Sequence, residues 1–348
     1  MHNLIDFNQM TLAEWDNLYA LTRDIYSSPG DFADTLRSKV LANLFFEPST
    51  RTSFSFQSAM QRLGGGVFGF SDPSMSSVSK GESFSDTVII SSTYADVCVI
   101  RSPQEGAALA AAACCDVPII NAGDGGHLHP TQTLADLTTI MQLRGSLENL
   151  NIALCGDLKY GRTVHSLIKA LSRFKGVKYY LVSPKELGIP DYLRKYMDAN
   201  KMDYYQVSLL ESVLSQVDVL YMTRIQKERF ANPYEYRKQK GIYVLNSKKL
   251  QAAKPDMLIM HPLPRVDEIT MDVDDDPRAV YFKQAHFGMY ARMALLITLC
   301  KNGGKKVQIE PTPGFNCTNR RCITQSEPYL PKGSKVLNGE ERCIYCDA

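Results

Sequence analysis

Short, continuous apolar runs alternating with helical patterns constrain this chain more than any other feature. The runs lie at 40–46, 97–101, 118–122, 151–155, 178–182, 217–222, 257–260 and 279–282. Most are too short for buried helices and too uniformly apolar for strands with one wet face, which suits parallel strands covered on both sides. The helical patterns between them complete βαβ units. Segment 3–28 reads as helix, with Leu12, Trp15, Leu18 and Leu21 recurring at near-helical spacing and Thr11 capping ahead of Glu14. The fold class is therefore α/β, built on parallel sheets.

At 348 residues there is room for two such cores and a small appendage. The helical stretch 131–143 and the turn Arg144-Gly145-Ser146 mark the boundary. We expect one domain over 1–133 and a second over 134–286. A helix over 287–304 packs back on the first, and a linker and tail follow over 305–348. A net charge of +2 gives no reason to expect nucleic acid or a membrane surface as partner. The first residues lack the basic start and apolar core of a secretory signal, and the longest apolar stretch, 107–115, is too short to span a bilayer. A cytoplasmic enzyme is the expectation.

Run 40–46 ends in Glu47-Pro48-Ser49-Thr50-Arg51-Thr52, and a helical pattern with Phe54, Phe56, Met60 and Leu63 follows. Hydroxyls at a helix start can simply cap it. The same free N–H groups, the helix dipole and an arginine can instead grip a phosphate. Capping needs one hydroxyl, whereas three beside an arginine favour the anion site. Other strand ends also carry arginine, at Arg101, Arg224 and Arg265, with Arg162 in the loop after 151–155. These are the positions where open α/β sheets bind ligands. His127, His165, His261 and His286 read as structural, the acidic run 272–276 as a solvated loop, and Gly64-Gly65-Gly66 as a turn.

The cysteines divide into two groups. Cys98, Cys114, Cys115, Cys155 and Cys300 sit in apolar runs and read as core. Cys317-x4-Cys322 and Cys343-x2-Cys346 form two pairs separated by twenty residues. That spacing suits tetrahedral zinc, with disulfides the weaker alternative in a reducing compartment.

Further motifs are Pro103-Gln104-Glu105-Gly106, His129-Pro130-Thr131-Gln132-Thr133, the loops 156–162 and 224–229, and His261-Pro262-Leu263-Pro264-Arg265. With Ser49-Thr50-Arg51-Thr52 they make residues 1–300 resemble the catalytic chains of the aspartate carbamoyltransferase family. Ser53, where many relatives carry a second arginine, and Pro48, where a small residue is common, depart from the pattern. The residues around the four tail cysteines resemble the zinc domain of that family's regulatory chain. Here the domain is fused to the catalytic segment, without the nucleotide-binding part.

The resemblance implies two α/β domains, each with a parallel-sheet core, plus a small C-terminal zinc module with four cysteine ligands. It implies transfer of the carbamoyl group of carbamoyl phosphate to the amine of L-aspartate, an early step of pyrimidine synthesis. The active site would lie in the interdomain cleft of a homotrimer and be shared between subunits. Ser49, Thr50, Arg51, Thr52 and Arg101 would hold the phosphate. His129, Gln132 and the carbonyls of Leu263 and Pro264 would hold the carbamoyl head. Arg162 and Arg224, with Gln226, would take the aspartate carboxylates, and Lys80 with Ser76 would reach in from a neighbouring subunit. Arg51, Thr52, Lys80, Arg101 and His129 are the expected catalytic groups, with the leaving phosphate accepting the amine proton. Glu47 and Arg229 would brace Arg162. Zinc would be structural, bound by Cys317, Cys322, Cys343 and Cys346, and no organic cofactor, nucleic acid or membrane partner is expected. Ornithine carbamoyltransferases are the nearest rival, but they show His-Cys-Leu-Pro where this chain has His261-Pro262-Leu263-Pro264, and two arginines suit a dicarboxylate. A catalytically silent scaffold would have lost contact residues, and all are present.

Overall fold

The computed structural model describes residues 1–225, 241–337 and 339–348. The chain divides into two units, Met1–Leu134 with Gly288–Ala348, and Ala135–Phe287. The first holds a parallel sheet of β1 (Val40–Phe45), β2 (Gly66–Phe70), β3 (Val97–Ser102) and β4 (Ile119–Asp124), in the order β2-β1-β3-β4. Its helices include α1 (Leu12–Ser27), α2 (Thr50–Arg62), α3 (Phe84–Thr93) and α4 (Ala107–Cys114). The second holds β5 (Asn151–Cys155), β6 (Lys178–Val182), β7 (Asp203–Val207), β8 (Val219–Met222) and β9 (Leu258–Met260), all parallel, in the order β7-β6-β5-β8-β9. It also carries α6 (Arg162–Leu171) and α7 (Asp191–Ala199). The divisions of the chain fall within α5 (Pro130–Arg144) and α8 (Tyr281–Asn302).

Strands β3 and β8, central in their sheets, are buried from end to end, as continuous apolar runs require, and so is β4, whose outer side Leu4 bridges at Ile120. The edge strands β2 and β7 lack such runs, being glycine-bearing or polar and partly exposed. Gly69 in β2 is obligatory: its φ is 140°, and a Cβ there would lie 2.2 Å from the carbonyl oxygen of Asn43. The strand expected at 279–282 is absent. Ala279 makes only an isolated bridge to Ile259, and Tyr281 opens α8 because Tyr281, Gln284 and Phe287 recur at helical spacing on its buried face. Helix α1 begins with a reciprocal cap, Thr11 Oγ1 accepting from the Glu14 amide at 3.1 Å and Glu14 Oε2 accepting from the Thr11 amide at 2.8 Å. Among the described residues no helix is long and apolar enough to cross a membrane.

The tail belongs to the first unit. It carries the hairpin β10 (Ser334–Leu337) and β11 (Glu340–Cys343), and shares one core with α3, α4 and β3 through Cys322, Ile323, Leu330 and Tyr345. A backbone seam joins Glu105 to it: the Glu105 amide donates to Arg321 O and the Ile323 amide to Glu105 O, both at 2.9 Å. Buried Glu327 accepts from the Phe84 amide at 2.9 Å and the Ser85 hydroxyl at 3.3 Å, placing a carboxylate at the start of α3. Gly106 has φ 86°, and a Cβ on it would lie 2.5 Å from Tyr345 Cβ, so the module seats where only glycine fits.

Candidate active site

The first sheet reverses direction of growth at β1, with β2 added on one side and β3 on the other. A ligand site in an open α/β sheet forms beyond the carboxyl ends of such a pair. Ser49 to Thr52 follow β1, and Arg101 lies in β3 next to its carboxyl end. The α2 start is not a capping structure. Ser49 holds the N-cap position in extended conformation without capping the helix, and its hydroxyl donates instead to Thr52 Oγ1 at 3.2 Å. The Ser49 side chain thus takes up none of the first-turn amides, the groups with which a helix start can hold an anion. Thr50 and Arg51 are exposed, and Ser49 and Thr52 half-buried. Ser53 points inward: its fully buried Oγ accepts from Asn43 Nδ2 of β1 at 2.9 Å and Gln57 Nε2 at 2.8 Å, which pins the helix start to the strand. A long arginine at that position would have no room in this arrangement.

Arg101 is buried. Its NH1 donates to Ala122 O at 3.1 Å and its NH2 pairs with Glu47 Oε2 at 2.9 Å, while Nε has no partner among the described residues. Burial pulls the guanidinium below its ordinary value, opposed by the Glu47 charge. Glu47 therefore braces Arg101 in this structure. His129 is buried just before α5, with Thr131 Oγ1 at 3.5 Å from its Nδ1, and Gln132 is half-buried in the first turn. Lys80 is exposed at the end of a short turn, Ser77–Lys80, whose start is capped by the Ser76 hydroxyl.

In the second sheet the corresponding reversal falls between β5 and β8. The loop after β5 leads to Arg162, first residue of α6, and the loop after β8 begins Thr223-Arg224. Thr223 fastens the two loops together, its Oγ1 donating to Cys155 O and accepting from the Asp157 amide, each at 3.0 Å. Gly156 allows that approach, since a Cβ there would meet Thr223 O at 2.4 Å. Buried His165 donates from Nε2 to Leu158 O and accepts from Tyr192 OH at Nδ1, both at 2.7 Å. Burial lowers its pKa to about 4, so it is neutral. Arg162 and Arg224 are half-buried; Gln226 and Arg229 lie outside the described residues. Leu263 and Pro264 follow β9, neighbour of β8.

Several residues missed by sequence reasoning organise these loops. Asp124 accepts from Gly106 N at 2.8 Å, Leu128 N at 2.9 Å and Asn121 Nδ2 at 3.1 Å, and contacts His127 at 3.0 Å. Asp347 meets the other His127 nitrogen at 3.2 Å. Burial alone would lower His127, but the two carboxylates raise it to about 10, so it carries a proton. Nothing in local spacing announces a contact between residues 127 and 347.

The four tail cysteines come together, their sulfurs all within 4.8 Å of one another, with Cys317 half-buried and the rest buried. Sulfur separations of 3.5 Å for Cys317–Cys346 and 3.8 Å for Cys322–Cys343 exclude disulfides. They match the edge of roughly 3.8 Å that a tetrahedron with metal–sulfur bonds of about 2.3 Å requires. Hydrogen bonds from Cys322 and Cys346 hold Cys343 well below its ordinary value, while the same pairing holds Cys322 far above its own. Such a cluster can hold a metal ion.

Two parallel-sheet units carry hydroxyl and arginine groups at their switch points, an arrangement suited to binding anionic ligands. Family models agree: the carbamoyl-phosphate-binding domain of aspartate/ornithine carbamoyltransferases matches residues 2–142, and the Asp/Orn-binding domain matches 148–299. The aspartate carbamoyltransferase catalytic subunit of Clostridium botulinum (strain Eklund 17B) is 55% identical over 298 residues, covering 85% of this chain and 97% of that one. The catalytic subunit of M. jannaschii aspartate transcarbamoylase superposes with a TM-score of 0.82 at 47% identity, over 87% of this chain and 99% of that one. Aspartate transcarbamoylase from Trypanosoma cruzi in complex with N-(phosphonacetyl)-L-aspartic acid gives a TM-score of 0.80 at 38% identity, over 85% and 95%. The chain belongs to the aspartate carbamoyltransferase catalytic subunit family.

Proposed function

We propose that the chain transfers the carbamoyl group of carbamoyl phosphate to the amine of L-aspartate, releasing phosphate. The observation that carries this reading is the uncapped α2 start beside Arg101, matched in the second unit by two arginine-bearing loops fastened through Thr223. The α2 amides, Ser49, Thr50, Arg51 and Thr52 take the phosphate dianion. His129, Thr52 and Arg101 stabilise the carbonyl oxygen as it gains charge, and Arg101 does so from a dry setting where its charge is little screened. Gln132 and the carbonyls of Leu263 and Pro264 accept from the carbamoyl NH2, which needs acceptors. Arg162, Arg224 and Gln226 bind the two carboxylates of aspartate, and the departing phosphate takes the amine proton. Catalysis is then positioning plus charge stabilisation.

Lys80 and Ser76 serve the site of a neighbouring copy in a homotrimer. Zinc is the metal for Cys317, Cys322, Cys343 and Cys346, where it would supply folding energy and no chemistry. The nine cysteines, all free, fit a reducing cytoplasm. N-(phosphonacetyl)-L-aspartate, which joins both substrate ends, tests the reading by calorimetry. One ligand per chain should bind, weakened both by Arg51→Ala and by Arg224→Ala. Binding sensitive to only one of the two would overturn the two-ended site.

A further inference from the structure

We propose that His261 is a positioning residue that sets the backbone of Leu263 so that its carbonyl faces the carbamoyl NH2. This rests on the role given to Leu263 above and extends it. Leu263 has φ 53°, a left-handed conformation that side chains of its type rarely adopt. Something must hold it there. The Leu263 amide donates to His261 Nδ1 at 2.7 Å, which fixes that nitrogen as the unprotonated one. The proton then sits on Nε2, which donates to Glu268 Oε1 at 2.6 Å.

The imidazole and carboxylate are both buried, so neither bond competes with water. Glu268 closes the loop with its other oxygen, accepting from the Val266 and Asp267 amides at 3.1 Å each. The root of the loop is equally fixed. The His261 amide donates to Gln284 Oε1 at 3.0 Å; Gln284 Nε2 donates to Asp136 Oδ1 at 2.6 Å, and Tyr221 OH to Asp136 Oδ2 at 2.9 Å. All of these groups belong to the second unit. The loop that offers the carbonyl is thus held at its root, middle and end, and His261 is the side chain that, among the described residues, grips Leu263 itself. A ring nitrogen that only filled space would not need a backbone amide aimed at its lone pair.

Two substitutions separate the two ring nitrogens. His261→Asn leaves an oxygen near the Nδ1 position to accept from the Leu263 amide, and gives up Glu268. His261→Gln keeps a donor toward Glu268 and leaves the Leu263 amide without its acceptor. The readout is the preference for phosphonoacetamide, which carries the amide head, over inorganic phosphate, which does not. We expect His261→Gln to weaken phosphonoacetamide about tenfold with phosphate unchanged, and to cut kcat by roughly 10²-fold with little change in KM for aspartate. His261→Asn should restore most of the amide preference. Equal effects of the two variants, or equal weakening of both ligands, would overturn the inference, since loss of a merely structural pair would do that. An unmodified chain with no preference for the amide head would overturn the parent reading, and this inference with it.

Discussion

Replacing Gly106 with alanine should pry the cysteine module off the unit on which it sits. The position has φ 86°, so alanine costs about 1–2 kcal/mol in backbone conformation alone. Its Cβ would also lie 2.5 Å from Tyr345 Cβ and 2.8 Å from the Tyr345 carbonyl. Carbon contacts relax only near 3.5–4.0 Å, so the Tyr345 backbone must retreat by roughly 1 Å. Tyr345 is 1% exposed. A buried tyrosine covers about 150–250 Å², worth about 4–6 kcal/mol at about 25 cal/mol per Å². Losing half of that and two seam hydrogen bonds at about 1 kcal/mol each amounts to about 4 kcal/mol, a roughly 10³-fold shift in docking. Hydrogen exchange at the Ile323 amide, which donates to Glu105 O, reads the seam directly. Gly314→Ala is the control: φ is 78° there, and nothing lies within 4 Å of the added Cβ. Exchange at Ile323 should quicken by roughly 10²–10³-fold in the first variant and hardly at all in the second. Equal protection in both would refute docking against Gly106.

Three further outcomes follow from the site. Inactive Arg51→Ala and inactive Lys80→Ala chains, dissociated and reassembled together, should regain activity if Lys80 serves a neighbour, whereas no recovery would place it in its own subunit's site. Stoichiometric metal analysis should find one zinc per chain, and Cys322→Ser should lose it and lower the Tm of the first unit, because Cys322 and Ile323 share that unit's core; an unchanged Tm would contradict a structural role. His165, held neutral with a pKa of about 4, contributes stability in full above about pH 6.5 that is lost as pH falls toward 4. Between pH 7.5 and 5 that loss is about 2 kcal/mol, so His165→Gln should be less acid-sensitive than the parent by that amount in urea unfolding, and equal sensitivity would refute it.

Much of the fold is legible because its cause is local. A strand buried on both faces must be continuously apolar, which marks β5 and β6 at the bounds the structure gives, Asn151–Cys155 and Lys178–Val182. The partly exposed edge strands Gly66–Phe70 and Asp203–Val207 escape that demand and carry no such mark. Residues 279–282 look extended only until the following helical face is considered, and Tyr281 then falls in register with it. The cysteine cluster could be read from its spacing, and the four sulfurs do converge. The seat of the tail could not, since it depends on contacts between distant positions, Glu105 with Arg321, Phe84 with Glu327 and His127 with Asp347. The same holds for the pairing of Glu47 with buried Arg101.

The most direct test is product formation. Purified chain supplied with carbamoyl phosphate and either L-aspartate or L-ornithine should yield N-carbamoyl-L-aspartate and one equivalent of phosphate from the first, and no citrulline from the second. Carbamoylation of ornithine alone, or of neither amine, would contradict the assignment of Arg162 and Arg224 to a dicarboxylate and with it the proposed reaction.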